Sequence, residues 1–256
     1  MGTSLGLTGI ILLSFKLCLS GSSLVELPAV SDRAVLLFHP GCVIRYNAET
    51  RQPDWVSYKL TAEEVRATAA TRTNAFRPDP ELKTRLPTAK DADYARSGYD
   101  RGHLAPAADM KQSMGAMVAS FFLSNISPQS PSLNRGTWSK LEEAVRREAV
   151  HSRAVYIASG PVFYEDRVTR TRTRIGPSRI PVPDAFFKVL LARDASGPKA
   201  IAFILPNDSV GSDLFQYAMS VDEAERITGL DFFRYLPDEE ESVAESSFDE
   251  SAWFTE

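Results

Sequence analysis

Residues 100–103 read Asp-Arg-Gly-His and combine side chains that can handle an anion. A histidine exchanges a proton near neutral pH, and an arginine stays charged and grips phosphate or carboxylate with a planar fork. The glycine between them lets another group approach the backbone closely, because it carries no side chain. The chain has three histidines, and neither His39 nor His151 lies in a comparable motif. We therefore expect the proton chemistry at His103, with Arg101 beside it.

A second polar cluster follows at residues 124–142, where the sequence predicts a helix over 134–150. The apolar side chains of this helix recur at spacings of three and four: Trp138, Leu141, Val145 and Ala149. Asn134 begins the predicted helix, and Glu142 lies eight residues on, roughly 80° further round at about 100° per residue. Both can border one site if the start of the helix faces His103.

The remaining segments indicate an α+β fold around an antiparallel sheet. Residues 42–47 and 54–60 have strand composition and form a predicted hairpin, and residues 121–125 suggest a short buried strand. Later core strands are predicted at residues 153–159, 184–192 and 199–205. Strands that arrive mainly in hairpins, with helices inserted between them, favour this fold class.

Short helices are predicted by their capping residues. Thr61 and Glu64 match a capping box, and Ser220 and Glu223 match the start of a helix that ends near Gly229. Residues 71–97 are rich in Pro, Arg and Asp, and we expect them to be irregular and exposed.

Three motifs together resemble the DNA/RNA non-specific endonuclease family, the endonuclease G-like ββα-metal nucleases. They are Asp-Arg-Gly-His at 100–103, Leu-Ser-Asn-Ile-Ser-Pro-Gln at 123–129 and Leu-Asn-Arg-Gly-x-Trp-x-x-Leu-Glu at 133–142. The similarity runs from about residue 41 to residue 233 and takes in shorter matches at 159–163, 181–189 and 204–207. It implies a ββα-metal nuclease fold, whose central, mostly antiparallel sheet is flanked by helices.

The resemblance also implies a role for each matching residue. His103 corresponds to the general base, Arg101 to an arginine that contacts phosphate, and Asn134 to the metal ligand. Glu142 corresponds to an acidic residue that acts on the metal through water. Asn125 and Gln129 match polar positions that support substrate binding. A further phosphate-contacting arginine falls on either Arg72 or Arg77, and the sequence leaves both open.

These roles agree with the chemistry of phosphodiester hydrolysis, which needs a base to activate water and positive charge to stabilise the transition state. Mg²⁺ prefers oxygen ligands and keeps several waters, so one neutral amide oxygen from Asn134 leaves its charge available to phosphate. We expect a Mg²⁺-dependent, sugar-non-specific endonuclease that cuts DNA and RNA, with Mn²⁺ as an alternative ion. The alternative is a catalytically silent nucleic-acid-binding protein on the same fold.

Other hydrolase classes are disfavoured, because the sequence has no His-Glu-x-x-His helix and no Gly-x-Ser-x-Gly elbow. A basic loop could follow a nucleic-acid backbone without reading its sequence, or could simply be a solvated charged loop: Arg167, Arg170, Arg172 and Arg174. The resemblance further implies a homodimer, although no stretch of the sequence identifies an interface.

Composition divides the chain into three parts. Residues 1–23 contain an apolar run at 5–15 that is too short to span a bilayer and favours a signal peptide, hence a secreted or periplasmic protein without stable membrane association. The alternatives are a membrane anchor formed by residues 5–15 and a mitochondrial address. Residues 41–236 form the predicted nuclease domain. Residues 237–256 hold eight of the 33 acidic residues and no Lys or Arg, and we expect a disordered tail.

Overall fold

The computed structural model describes residues 27–30, 34–82, 86–164, 173–194 and 197–254. The predicted signal peptide and Arg167, Arg170 and Arg172 lie outside these residues. Within the described ranges, no helix combines the length and the apolar character needed to cross a membrane.

A seven-stranded sheet forms the centre of the molecule, and every pair of neighbouring strands in it is antiparallel. In spatial order its strands are β1 (Val35–His39), β2 (Cys42–Asn47), β3 (Gln52–Thr61), β6 (Ala154–Val162), β9 (Ala185–Asp194), β10 (Gly197–Pro206) and β11 (Ala218–Met219). Two-stranded sheets join β4 (Asp100–His103) to β5 (Ile126–Gln129), and β7 (Arg174–Ile175) to β8 (Ile180–Pro181). The predicted α+β fold, with a mostly antiparallel central sheet, is confirmed.

Both faces of the central sheet are buried, which explains why its middle strands are almost continuously apolar. In β9, Phe186 and Leu190 pack into the core on one face, while Phe187 and Val189 pack into a second core on the other. We call these the first and the second core. Lys188 lies between Phe186 and Leu190 in a strand that is otherwise apolar to Ala192.

Helices cover the two faces. Their bounds are α1 (Ala62–Arg66), α2 (Asp91–Tyr94), α3 (Met114–Ser120), α4 (Pro131–Arg135), α5 (Thr137–His151), α6 (Val221–Thr228) and α7 (Asp238–Glu245). α5 packs into the first core through Trp138, Leu141 and Val145. α6 and α7 pack into the second core through residues that include Ala224 and Ala244.

The capping residues act as predicted. Thr61 and Glu64 form a capping box at the start of α1. Ser220 accepts a hydrogen bond from the backbone N–H of Glu223 at the start of α6, and Gly229 ends that helix in the left-handed conformation, with φ of 69°.

Two local predictions differ from the structure. Residues 121–125 are buried but form no strand, because the chain makes a 3₁₀ helix over Leu123–Asn125 before β5 begins. The helix predicted over 134–150 is two helices, because the backbone leaves helical geometry at Gly136, with φ of −105° and ψ of −111°. Asn134 is therefore the penultimate residue of α4, and it does not lie on the same helix as Glu142.

The predicted disorder of residues 237–256 is wrong for the part that the structure describes. This segment forms α7 and a 3₁₀ helix at Glu250–Ala252. Its apolar side chains provide the reason: Ala244 enters the second core, and Trp253 enters the first core with 3% exposure. The ammonium group of Lys199 lies 4.7 Å from the centre of the Trp253 ring and pairs with Glu148 at 2.9 Å.

We predict that Trp253→Ala lowers the free energy of unfolding by about 3–5 kcal/mol, because it removes a large buried side chain and leaves a cavity. Val243→Ala, in α7 with 70% of Val243 exposed, is the matched control and should change stability by about 0.5 kcal/mol or less. Urea unfolding of both variants measures the effect. Equal small losses in the two variants would contradict the docking of the C-terminal segment.

Candidate active site

Three of the predicted site residues contact one aromatic pair, Phe76 and Phe121. The ring of His103 meets the ring of Phe121 edge to face at 5.0 Å and lies 5.3 Å from Phe76. The guanidinium of Arg72 lies 5.3 Å from the Phe121 ring, and that of Arg101 lies 5.3 Å from the Phe76 ring. Because the two phenyl rings contact each other at 5.0 Å, the imidazole and both arginines border one surface.

This environment keeps His103 uncharged. The residue is 8% exposed, and its Nε2 has no hydrogen-bond partner among the described residues. Burial, and then the positive charge of Arg72, lower the pKa of His103 from 6.5 to about 3. The imidazole is therefore neutral at physiological pH and can accept a proton.

Arg77 lies elsewhere. Its guanidinium is 5.3 Å from the ring of Phe122, which packs against His39. Its backbone is fixed on both sides, since its N–H donates to Phe121 and its carbonyl accepts from Leu123. Of the two arginines that the sequence left open, Arg72 is the one that shares an aromatic contact with His103.

Arg101 is held by an acidic neighbour as well as by aromatic rings. One of its terminal nitrogens lies 2.6 Å from the carboxylate of Asp91, and the guanidinium is 5.8 Å from the ring of Tyr94. Asp91 is largely exposed, so water weakens this pair and leaves Arg101 able to exchange Asp91 for another anion.

The close approach predicted at Gly102 is made by a protein side chain. β4 and β5 pair so that Gly102 faces Ser127, and a Cβ at Gly102 would lie 2.6 Å from Cδ of Gln129. Any larger residue would collide with the Gln129 amide. The glycine therefore permits tight packing behind His103.

The resemblance places Asn125 and Gln129 among the residues that support substrate binding, and both are fully buried. The Asn125 amide accepts from the N–H of Ala105 and donates to the carbonyls of Ala105 and Ser120. Its polar atoms thus fix the backbone just after His103, and neither side chain faces solvent.

Asn134 is oriented by Asp100, the first residue of the motif. The Nδ2 of Asn134 donates to Oδ2 of Asp100 at 2.9 Å, and Arg135 binds the same carboxylate through two nitrogens at 2.8 and 2.6 Å. A carboxylate only accepts hydrogen bonds, so the amide NH₂ must face Asp100 and Oδ1 must face away. The hydrogen bonds from Arg135, together with that from Asn134, lower the pKa of Asp100 despite its partial burial.

The turn before Asn134 is fixed by Asn207, the last residue of the match at 204–207. Its Oδ1 accepts from the N–H of Ser130 at 2.8 Å, and its Nδ2 donates to the carbonyls of Pro128 and Pro183. Ser130 then caps α4 by accepting from the N–H of Leu133. This chain of contacts ties the end of β5 and the start of α4 to the central sheet.

Glu142 lies on α5, is partly exposed, and neighbours a buried polar cluster. In this cluster, Asp109 accepts hydrogen bonds from the Tyr58 hydroxyl at 2.8 Å and from Arg146 at 3.0 Å. Lys188 donates to the Ser159 hydroxyl at 2.7 Å. Burial is the main reason that the pKa of Glu142 is raised, and the charges of Lys188 and Arg146 oppose that shift.

The model of the family described as DNA/RNA non-specific endonuclease matches residues 24–239 of this chain. The chain belongs to this family. The family resemblance read from the sequence is thereby confirmed.

Relatives of known name agree with this assignment. The protein named Nuclease EXOG, mitochondrial, from Danio rerio is 35% identical over 209 residues, which are 78% of this chain and 61% of that protein. Endonuclease G, mitochondrial, from Homo sapiens is 34% identical over 198 residues, covering 74% and 66%. The chain thus spans about three fifths to two thirds of the length of these relatives.

A solved structure of the same family confirms the fold. The crystal structure of an EndoG/EndoGI complex superimposes with a TM-score of 0.73 at 28% identity, covering 84% of this chain and 90% of that one. The names of the relatives give no support to a secreted or periplasmic protein, and they match the mitochondrial alternative.

The sequence analysis missed the polar partners of Glu142 in this nuclease-family chain. Lys188 is 1% exposed, and its ammonium group lies 4.7 Å from the Trp138 ring. A lysine inside the apolar run of residues 185–192 was the available signal, because a buried charge requires partners. Asp109 and Arg146 had no comparable signal, since an acid in a loop and a base on a helix are ordinary surface residues.

We predict that Arg72→Gln raises the pKa of His103, because it removes the cation that opposes protonation of the ring, whereas Arg77→Gln leaves that pKa unchanged. The His103 pKa should stay below 6.5 in Arg72→Gln, since burial is the larger cause. NMR titration of the imidazole resonances in the three proteins provides the measurement. A larger shift in Arg77→Gln than in Arg72→Gln would reverse the assignment of the two arginines.

Proposed function

We propose that this protein is a sugar-non-specific endonuclease that hydrolyses phosphodiester bonds in DNA and RNA with one Mg²⁺ ion. The observation that carries the proposal is a neutral, buried His103 bordered by Arg72 and Arg101 on the Phe76–Phe121 pair. A proton acceptor between two fixed cations suits an anionic substrate that must be attacked by water. Family membership supports the same reaction class.

In this proposal, His103 takes the proton of the attacking water. Its low pKa in the free protein makes His103 a weak base. Arg72 and Arg101 provide a way for bound substrate to raise that pKa. A phosphate held by Arg72 and Arg101 neutralises the positive charge that disfavours imidazolium. Substrate binding therefore raises the pKa of His103 toward the range in which it is an effective base.

Asn134 is the proposed metal ligand, and its geometry fits that role. The hydrogen bond to Asp100 turns Oδ1 of the amide away from the carboxylate, and an amide oxygen is a ligand that Mg²⁺ accepts. When bound, Mg²⁺ supplies positive charge to the scissile phosphate and to the leaving oxygen. Mn²⁺ has similar oxygen preferences and can replace it.

Arg72 and Arg101 are the proposed phosphate contacts. Both present guanidinium groups at the surface formed by the two phenyl rings, and a planar guanidinium binds phosphate with two parallel hydrogen bonds. We assign no such role to Arg77, which packs on Phe122. Contacts to phosphate carry no base information, which agrees with cleavage of both DNA and RNA.

Glu142 is the proposed partner of metal-bound water. Burial raises the pKa of Glu142 to about 7, and Lys188 and Arg146 oppose that rise, so part of the population is ionised at neutral pH and can accept hydrogen bonds from water at the metal. The charges that act on Glu142 are themselves held in place, because Arg146 binds Asp109 and Lys188 binds Ser159.

The alternative is a nucleic-acid-binding protein on the same fold that does not cleave. It shares the arginines and predicts binding without turnover. We further propose a mitochondrial location, on the names of the relatives alone, and a homodimer, on the family resemblance alone.

We predict that His103→Ala lowers kcat for supercoiled plasmid and for single-stranded RNA by about 10²–10⁴-fold, because it removes the general base. His151→Ala is the matched control, since His151 is exposed at the end of α5, and should retain wild-type turnover. Each protein is assayed with Mg²⁺ and with EDTA, and thermal unfolding verifies the fold. Wild-type binding without Mg²⁺-dependent cleavage would favour the silent alternative, and full activity of His103→Ala would refute the proposed base.

We predict that Asp100→Asn raises the Mg²⁺ concentration needed for half-maximal cleavage by about 10–100-fold, because the amide of Asn134 loses the carboxylate that orients it. Glu143→Gln is the control, since it removes one negative charge from an exposed position on α5. Initial rates are measured against MgCl₂ concentration. A lower maximal rate with an unchanged Mg²⁺ midpoint would argue against Asn134 as the ligand.

A further inference from the structure

Three carboxylates converge where α6 meets α7, outside the proposed active site. Asp222 and Glu225 lie on α6, and Glu245 is the last residue of α7. One carboxylate oxygen from each lies within 4.8 Å of the other two. Among the described residues, this is the one group of three His, Cys, Asp or Glu side chains with metal-ligand spacing.

Glu245 has an environment that an ordinary surface acid does not have. The residue is 5% exposed, and its Oε1 is buried with no hydrogen-bond partner in the described part of the chain. A buried carboxylate oxygen without a partner is costly, because water no longer solvates it. An oxygen of this carboxyl group faces two other acids instead of a donor.

Two basic residues of this part of the molecule pair with acids outside the cluster. Arg234 lies 3.6 Å from Asp231, and Arg193 pairs with Glu240. Glu225 accepts one hydrogen bond from the N–H of Phe232 at 2.6 Å, which satisfies one oxygen. Within the described residues, no Lys or Arg forms an ion pair with any of the three converging carboxylates.

We propose that Asp222, Glu225 and Glu245 bind a hard divalent cation, Ca²⁺ in preference, which joins the C-terminal helix α7 to α6. Carboxylate oxygens are the ligands that Ca²⁺ prefers, and its coordination is flexible enough to accept acids from two helices, with water filling the remaining positions. Asp222 is exposed, so the ion has a path from solvent. This site is independent of the proposed catalytic Mg²⁺.

The electrostatics of the cluster support the need for a positive partner. Burial, followed by repulsion from Glu225, Glu241, Asp222 and Asp231, raises the pKa of Glu245 from 4.5 to about 9. Within the described residues, neither the three converging oxygens nor the unpartnered Oε1 of Glu245 has a compensating positive charge.

The test is the thermal unfolding of the full chain, titrated with CaCl₂ after EDTA treatment, in an Asn134→Ala background that removes the proposed catalytic ligand. With Ca²⁺ at ten times its Kd, we expect Tm to rise by about 3–6 °C. The rise should be absent in Glu245→Gln and reduced in Asp222→Asn. Glu250→Gln removes an exposed acid from the same segment and should keep the full rise.

Calorimetric titration with CaCl₂ counts the ions directly, and Glu245→Gln should bind one fewer than its parent. Asp222→Asn changes an exposed residue, so it still tests the site if Glu245→Gln fails to fold. Two results would overturn the proposal: equal Ca²⁺-dependent rises in Tm for parent, Glu245→Gln and Asp222→Asn, or no rise in the parent at any pH between 6 and 9.

Discussion

The pairing of β4 with β5 is the contact on which the candidate active site depends. It sets Asp100 opposite Gln129 and His103 opposite Ile126. A two-stranded ladder is weak in water on its own, so this one needs outside support. Asn125 supplies it at one end by bonding Ala105, and Asn207 supplies it at the other by bonding Ser130 and Pro128. In the middle, the Ser127 hydroxyl bonds the buried amide of Gln52 in β3.

The β4–β5 ladder also fixes where the charged side chains of the candidate site lie. Alternate residues of a strand point to opposite sides, so Arg101 and His103 share one side and Asp100 lies on the other. The first side packs on Phe76 and Phe121, which removes water from the imidazole and keeps two guanidinium groups beside it. On the second side, the carboxylate of Asp100 binds Arg135 and orients Asn134. One four-residue strand thereby positions both the proposed base and the proposed metal ligand.

The sequence predicted most of the strands, because their apolar runs and flanking turns are local features. Its motifs also predicted His103, Arg101 and Asn134 as one set, and the structure brings His103 and Arg101 to the same ring, that of Phe76. What it could not predict depended on tertiary contacts. The break at Gly136 separates Asn134 from the helix of Glu142, although the apolar spacing alone favoured one helix. Arg72 and Arg77 have similar sequence surroundings, and only the position of Phe121 distinguishes them.

The acidic C-terminal segment is a second case in which tertiary contacts decide a structure that its sequence did not predict. Its composition predicts disorder, yet Ala244 and Trp253 place it in two separate cores. Folding of this segment has an electrostatic consequence for the proposed nucleic-acid substrate, which is a polyanion. A disordered acidic tail could cover the basic surface around Arg72 and Arg101, whereas α7 packs into the second core and carries its five acids on the face of the sheet opposite α5. Screening over about 8 Å at physiological ionic strength further isolates those charges from any surface beyond that distance. The fold therefore keeps most of the negative charge of the C-terminal segment on the side of the sheet that does not carry α5 and Glu142.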